Sequence, residues 1–373
     1  MRCLMIVPSL RRAGAETQVV ALANGLAELG HEIHLLTFER HLDLCNRLLP
    51  VVWHHTCRRR WKYDFGYTHE IARIIDREGI EVIHTTLQFA LLAGWLGRMQ
   101  STRKPPLVAS LHTTISRNRK EDRQVRWFYR QLLRRCASII FVCENQRDYW
   151  VHRFPELMPI SKVVHNGIPL HHYDPQSWKE VGRRLRDELC IPAAATVFGC
   201  LAGFRPEKAH HLLIDAFSHL AGEPYLILAG DGPLRKAISN LVIERSVARR
   251  VHFLGEVSDC RQVIAASTAT VLSSITVETF SMAMLESMAM GVPMIAPAIG
   301  GLAEAIEDGE SGLIYPPGDE GALSRSMSCI TDEPAQVEVM GKHARAVIML
   351  RFSEDKMVGK TEGILAGVIA QAR

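Results

Sequence analysis

Short β-branched runs alternate with amphipathic stretches along the whole chain, and this alternation leaves few folds open. In the first half, Cys3–Pro8, Glu32–Phe38, Val51–Thr56, Glu81–Thr85, Leu107–His112, Ile139–Cys143 and Lys162–His165 read as strands. Helical patterns over Ala15–Leu29, Tyr67–Glu78, Gln88–Met99, Asp122–Arg135 and Gln146–Phe154 separate most of them. Runs that are apolar on both faces and joined by helices describe a parallel sheet covered on both sides. A second alternation follows the stretch Pro169 to Pro192, with strands at Thr196–Leu201, Tyr225–Ala229, Val251–Leu254, Thr270–Ser273, Met294–Ala296 and Leu313–Tyr315. Its helices are expected at Ala209–Leu220, Leu234–Val247, Phe280–Met290 and Leu302–Ile306, with a long tail from Ala335 to Ala372 that Ser353 splits as an N-cap. The fold class is α/β, as two doubly wound domains. They are expected at residues 1–168 and 193–352, with a linker at 169–192 and a C-terminal helix at 353–373.

A length of 373 residues fits two domains. With 47% hydrophobic and 23% charged residues, the chain is neither disordered, collagen-like nor a coiled coil. The charge-free stretch Val82 to Gly97 is too short to span a bilayer, and the apolar run at Met1–Pro8 is too short for a signal-peptide core. Nine cysteines, none in a CxxC, indicate reduced thiols and a cytoplasmic protein. Residues 1–170 hold 25 Lys and Arg against 15 Asp and Glu, and the remainder holds 19 against 25. A basic half joined to an acidic half points either to separate partners or simply to solubility.

In doubly wound folds ligands sit beyond the carboxyl ends of the strands, so those loops carry the functional reading. The first is Ser9-Leu10-Arg11-Arg12-Ala13-Gly14-Ala15-Glu16, where small residues at a helix N-terminus admit an anion, or merely make the turn. In the second, Gly203 to Ala209, Arg205 and Lys208 are spaced to converge on one diphosphate, or to form a charged exposed turn. The third runs from Val277 to Glu286. Glu278 would precede the helix, the amides of Phe280 and Ser281 would be free, and Glu286 would stand in an otherwise apolar helix. There it would accept from a ribose diol or pair with an arginine in the core. Ala298 to Glu304 and Gly230-Asp231-Gly232-Pro233 are glycine-containing turns that fit a structural role equally well.

In order, Ala13-Gly14-Ala15-Glu16, His112, His165-Asn166-Gly167-Ile168, Arg205 with Lys208, Gly230-Asp231-Gly232-Pro233, Val251 to Gly255, Glu278 with Glu286, and Gly300-Gly301 with Glu304 resemble a GT-B glycosyltransferase of family 4 over essentially the whole chain. The resemblance implies two Rossmann-like domains facing a central cleft, with the C-terminal helix returning to the N-terminal domain. It implies a retaining transferase that moves a sugar from a nucleotide-sugar donor to a glycan, lipid-linked or small-molecule acceptor, in cell-surface polysaccharide or glycolipid synthesis, without a metal or other cofactor. By that resemblance Arg205 and Lys208 bind the donor diphosphate, Glu286 the ribose and Glu278 the donor sugar. The Phe280 and Ser281 backbone meets the sugar, Gly14 approaches the diphosphate from the other domain, and His112 stands near the reacting sugar. The chain differs from the family pattern at Ala13 and at Ser281, where glycine is usual.

The metal-free expectation agrees with the residues: the sequence has no Asp-x-Asp and no HExxH. The alternatives are a GT-B sugar-nucleotide epimerase and an NAD-dependent oxidoreductase, and the GxGxxG that the latter needs is missing. Arg58-Arg59-Arg60 with Trp61 lacks a nucleic-acid recognition motif, so no nucleic-acid partner is expected. The segment Arg117 to Arg135, strongly basic with Trp127, Phe128 and Tyr129, reads either as a peripheral contact with anionic membrane or as a helix whose aromatics enter the core.

Overall fold

A computed structural model describes residues 1–39, 41–57, 66–114, 119–276 and 278–372. Arg58, Arg59, Arg60, Trp61, Arg117 and Val277 lie outside the described residues. The chain divides into two compact units, Met1–Gly167 with Glu354–Arg373, and Ile168–Ser353.

The first unit is built on seven parallel strands, β1 (Arg2–Ile6), β2 (Glu32–Thr37), β3 (Trp53–Thr56), β4 (Val82–Thr86), β5 (Leu107–Leu111), β6 (Ser138–Phe141) and β7 (Ser161–Val163), in the order β3-β2-β1-β4-β5-β6-β7. Met5 of β1 pairs with Leu35 of β2 on one side and His84 of β4 on the other. Every residue of β4 and β5 is buried, as a sheet covered on both faces requires. Ile71, Ile74 and Ile75 of the helix Gly66–Arg77 pack with Leu4 and Ile83 on one face. Val19, Leu22 and Leu26 of the helix Gly14–Glu28 pack with Met5 and Leu35 on the other. The helix Glu354–Ala372 completes that second face through Met357, Val358, Leu365 and Val368. The tail breaks at Phe352–Ser353, so its last helix joins the first unit. Its contact with Gly14–Glu28 is close: a Cβ on Gly25 would lie 2.5 Å from Val358.

The basic segment is not one regular helix. It runs as Arg119–Gln124, a π-helical turn Val125–Tyr129, then Arg130–Leu133. Leu132 and Leu133 are buried, whereas Trp127 is 75% and Phe128 45% exposed. The extra residue in the turn shifts the helical phase, so the two aromatics face solvent while the leucines reach the core.

The second unit carries β8 (Val197–Leu201), β9 (Tyr225–Ala229), β10 (Val251–Gly255), β11 (Ala269–Val271), β12 (Met294–Pro297) and β13 (Gly312–Tyr315), all parallel, in the order β10-β9-β8-β11-β12-β13. Three helices depart from the sequence reading. The stretch 169–192, expected as a linker, contains the helix Pro175–Glu188, and further helices span Arg261–Ala266 and Glu320–Asp332. Asp174 caps the first of these by accepting from the Ser177 amide at 3.2 Å, with Pro175 at the first helical position. Gly182 lets that helix close on Arg261–Ala266, where a Cβ would meet the Ala265 carbonyl oxygen at 2.3 Å. Among the described residues no helix is long and apolar enough to cross a membrane.

Candidate functional site

In the second unit the loops beyond β8, β9, β11 and β12 interlock. The loop after β8 ends in a short 3-10 turn, Pro206–Lys208, followed by Ala209 in the left-handed region and the helix His210–Ser218. Ser273, just past β11, donates to the Lys208 carbonyl (2.8 Å), and the Ile275 amide donates to that of Glu207 (3.0 Å). The glycine turns follow from these contacts. Gly300 sits at φ +57° directly over the Glu278 carbonyl, where any Cβ would clash, and the Gly301 amide donates to Thr279 (2.8 Å). Gly230, at φ +140°, lies against the Ala202 carbonyl in the same way.

This scaffold brings Lys208 and Glu278 together. The ammonium donates to the Glu278 carboxylate, and the Ser274 hydroxyl donates to the same oxygen at 2.6 Å. The Glu278 side chain is only 8% exposed and that of Lys208 22%, so the pair is largely withdrawn from solvent. Arg205 is not drawn into it. Its side chain is two-thirds exposed, with the guanidinium 3.8 Å from the Glu207 carboxylate.

Glu278 and Glu286 are held in different surroundings. The helix expected from Phe280 begins at Met282 and ends at Ala289, with Ser281 as its N-cap. The Ser281 hydroxyl accepts from the Met284 amide at 3.4 Å, and the buried Phe280 ring packs on Phe352 at 5.4 Å. Glu286 lies one turn into this helix. Among the described residues no arginine pairs with it: Tyr173 donates to one oxygen (3.1 Å) and the Cys260 thiol to the other (3.2 Å). Burial pushes the Glu286 carboxyl above its ordinary range, while the two donors pull it back. The sequence does not mark Tyr173, Cys260 or Ser274 as site residues, because no motif surrounds them. They matter through contacts 4 to 113 residues away.

In the first unit Gly14 opens the helix Gly14–Glu28 and is exposed. Glu16 is buried beneath it, accepting from the Ser9 hydroxyl at 3.3 Å, and Arg11 donates to Ser9 (3.2 Å) and Glu39 (2.7 Å). A carboxylate in the first helical turn satisfies the loop and complements the helix dipole. His112, half-buried just beyond β5, lines a small pocket with His84, Ser110, Gln18, Asn166 and Thr361. Burial lowers the His112 imidazole to about 4, leaving it neutral near pH 7. His84 behind it is lowered to about 4 for the same reason, with His112 adding to the shift. The His84 Nε2 lies 2.7 Å from the Ser110 hydroxyl. Gln18 clamps both backbone groups of Gly167, donating to its carbonyl and accepting from its amide, each at 2.9 Å. Among the described residues two clusters offer metal-ligating groups, Glu32 with His34 and Glu78, and Glu307 with Glu310 and His343. Neither includes a residue of these loops.

Comparison with known proteins agrees along the chain. Residues 12–172 match the family described as Glycosyltransferase Family 4, and residues 183–347 match Glycosyl transferases group 1. N-acetyl-alpha-D-glucosaminyl L-malate synthase of Bacillus anthracis is 25% identical over 93% of this chain and 92% of its own. The lipopolysaccharide core biosynthesis glycosyltransferase LpsE of Rhizobium meliloti is 30% identical over 48% of this chain and 53% of its own. Among solved structures, a glycosyltransferase of Rickettsia africae superposes with a TM-score of 0.86 at 18% identity, covering 99% of this chain and 98% of that one. HepE of Anabaena, solved with UDP, superposes with a TM-score of 0.83 at 21% identity, covering 98% and 100%. With two parallel α/β sheets and matches to both halves, the chain belongs to the group 1, family 4 glycosyltransferases, GT-B enzymes of hexosyltransferase type that use nucleotide-sugar donors.

Proposed function

We propose that this enzyme transfers a hexosyl group from a UDP-sugar, with retention of configuration and without a metal, to a phosphate-bearing lipid-linked or glycan acceptor. The observation that carries the reading is the buried Lys208–Glu278 pair, with Glu286 eight positions on in the neighbouring helix. Breaking the sugar–diphosphate bond leaves negative charge on the departing phosphate and positive charge on the anomeric carbon. Lys208, with Arg205 beside it, stabilises the first, and preorganised donors of this kind contribute roughly 3–4 kcal/mol each. Glu278 holds the Lys208 ammonium and accepts from hydroxyls of the donor sugar. Glu286 takes the ribose diol, the backbone at Phe280 and Ser281 borders the sugar, and Gly14 lets main-chain amides near the diphosphate. His112, neutral, can donate and accept at once beside the reacting sugar. The acceptor hydroxyl attacks from the leaving-group side and passes its proton to the departing phosphate, so no protein nucleophile is needed. Uridine is favoured by the fold relative HepE, which has been solved with UDP and with UDP-glucose.

A thermal-shift and turnover screen of UDP-, GDP- and ADP-sugars tests the donor. UDP-sugars are expected to raise the melting temperature, since a ligand at a hundred times its Kd adds about 2.7 kcal/mol to the native state. Turnover is expected to survive EDTA. A shift with no nucleotide sugar would remove the donor reading, and loss of turnover in EDTA with recovery in Mn²⁺ would remove the metal-free mechanism. Turnover of the donor's sugar without an acceptor would favour the epimerase alternative.

Support for a membrane-borne acceptor comes from the first unit. Trp127 and Phe128 are exposed beside Arg119, Lys120, Arg123 and Arg126, all likewise exposed. Aromatic side chains with a basic surround fit an anionic bilayer surface, where each Lys or Arg adds about 1 kcal/mol. Co-sedimentation with anionic vesicles at low salt, weaker in high salt and after charge reversal at Arg119, Lys120 and Arg123, is the expected result. No binding to anionic vesicles at low salt would end this part of the proposal.

A further inference from the structure

The side chain of Glu286 ends in a torsion that no rotamer well fixes. Rotation of a glutamate carboxylate about its last bond is broad and roughly two-fold, so its direction must come from its partners. Here the partners are placed one on each oxygen: Tyr173 donates to Oε1 at 3.1 Å and Cys260 to Oε2 at 3.2 Å. Both donors come from outside the helix that carries Glu286. Tyr173 lies at the end of a short turn, Leu170–His172, and Cys260 immediately precedes the helix Arg261–Ala266.

The Tyr173 turn is itself fastened. Arg261 donates to the His172 carbonyl (2.9 Å), with its guanidinium 5.7 Å from the Tyr173 ring centroid and 4.2 Å from that of Trp178. Asp259 holds Arg261 at 2.6 Å. Arg345, from the helix Pro334–Arg351, donates to the Tyr173 carbonyl at 2.7 Å and also bonds the Ala289 carbonyl at the end of the Glu286 helix. Two arginines thus lock the backbone that delivers one hydroxyl to one carboxylate.

We propose that Tyr173, with Cys260 as its counterpart, is a positioning residue of the nucleotide site, aiming the Glu286 carboxylate so that its two remaining acceptor positions meet the two hydroxyls of a ribose. This rests on the reading of Glu286 as the ribose acceptor. An ionised carboxylate offers about four lone-pair sites. With one on each oxygen taken by a protein donor, one on each oxygen is left, which matches a cis diol that donates twice. Burial beside the carboxylate raises the tyrosine and the thiol well above their ordinary values, so both stay protonated and keep donating. The arrangement also explains why a carboxylate persists in a helix whose other members are Met, Ala, Leu and Ser.

The test is calorimetric binding of UDP and of 2′,3′-dideoxy-UDP to the wild type, Tyr173→Phe, Cys260→Ala, Cys260→Ser and Glu286→Gln, each checked for an unchanged fold by circular dichroism. Tyr173→Phe removes one oxygen and is expected to weaken UDP about tenfold, the scale of one hydrogen bond to a charged group, while leaving the dideoxy analogue unaffected. Cys260→Ala should act in the same direction and Cys260→Ser should restore binding, since a hydroxyl still donates. A merely structural role would weaken both ligands alike. Equal weakening, or none, in Tyr173→Phe while Glu286→Gln abolishes the preference for UDP would overturn the positioning role and leave the ribose assignment standing. If Glu286→Gln keeps the wild-type preference, the ribose assignment fails and the positioning role falls with it.

Discussion

Exchange of Lys208 for methionine is expected to lower turnover by at least about a hundredfold, the cost of losing one preorganised donor to a developing anion. The same change is expected to reduce the unfolding free energy by about 3 kcal/mol, because it strands a buried carboxylate. Both effects come from one contact. The Glu278 side chain is 8% exposed, and its charge is balanced by Lys208, with the Ser274 hydroxyl on the same oxygen. Among the described residues, removal of the ammonium leaves one neutral hydrogen bond to support a desolvated anion. Adding Glu278→Gln should recover most of the stability, since no charge is then buried, but none of the rate. Urea unfolding and steady-state kinetics on the two single variants and the double variant separate the outcomes. An unchanged rate in folded Lys208→Met would take this lysine away from the diphosphate. An unchanged stability would show that the pair is solvated.

Acidification should destabilise the protein well before its carboxylates protonate. Burial lowers His84 and His210 to about 4, as it does His112, and lowers His252, His54 and His55 in the same direction. In the unfolded chain an imidazole protonates near 6.5, so between about 6.5 and 4 the unfolded state binds more protons than the native one. The stabilisation is therefore fully present above that range and is lost as pH falls through it, by roughly 3 kcal/mol for each imidazole that stays fully buried. Glu286 and Glu354, both raised by burial, act in the opposite sense but are fewer than the imidazoles. Urea unfolding at pH 7.5 and pH 5 should show a fall of several kcal/mol. His210 is the probe of choice, being 2% exposed and stacked on Phe204 at 4.3 Å. His210→Gln should flatten the fall, because an amide does not titrate. A wild-type profile flat from 7.5 to 5 would contradict the buried neutral imidazoles.

Architecture was legible in the sequence wherever burial on both faces left a continuous apolar run, as in Leu107–Leu111 and Tyr225–Ala229. The break before the last helix was legible as well, because Ser353-Glu354-Asp355 is a helix-start signal. The helix Pro175–Glu188 is hidden in the sequence for a physical reason. It buries only Gly182 and Leu185, so it lacks the apolar stripe that periodicity detects, although Asp174-Pro175 is a start signal that could have found it. The π-turn at Val125–Tyr129 was equally hidden, since a single added residue changes which side chains face outward without changing composition. At the site, charged residues in glycine-bounded loops announced themselves, and the structure joins Lys208 to Glu278 as their positions allowed. What supports them did not. Tyr173 reaches Glu286 across 113 positions, a pairing set by how the second unit folds and not by any local pattern.

The first unit is discontinuous in sequence, its last helix separated from the rest by the whole of the second. During translation this has a temporal consequence. When Gly167 has left the ribosome, Val19, Leu22 and Leu26 still lack the partners that Val358 and Leu365 provide, and those emerge only after residues 168–353 have been made. At roughly 5–20 residues per second the nascent chain carries that uncovered apolar face for some ten seconds or more. The second unit, continuous in the chain, can close its own core in the meantime. The order of synthesis and the order of completion are therefore reversed, and it is the earlier-made unit whose apolar face stays uncovered the longer.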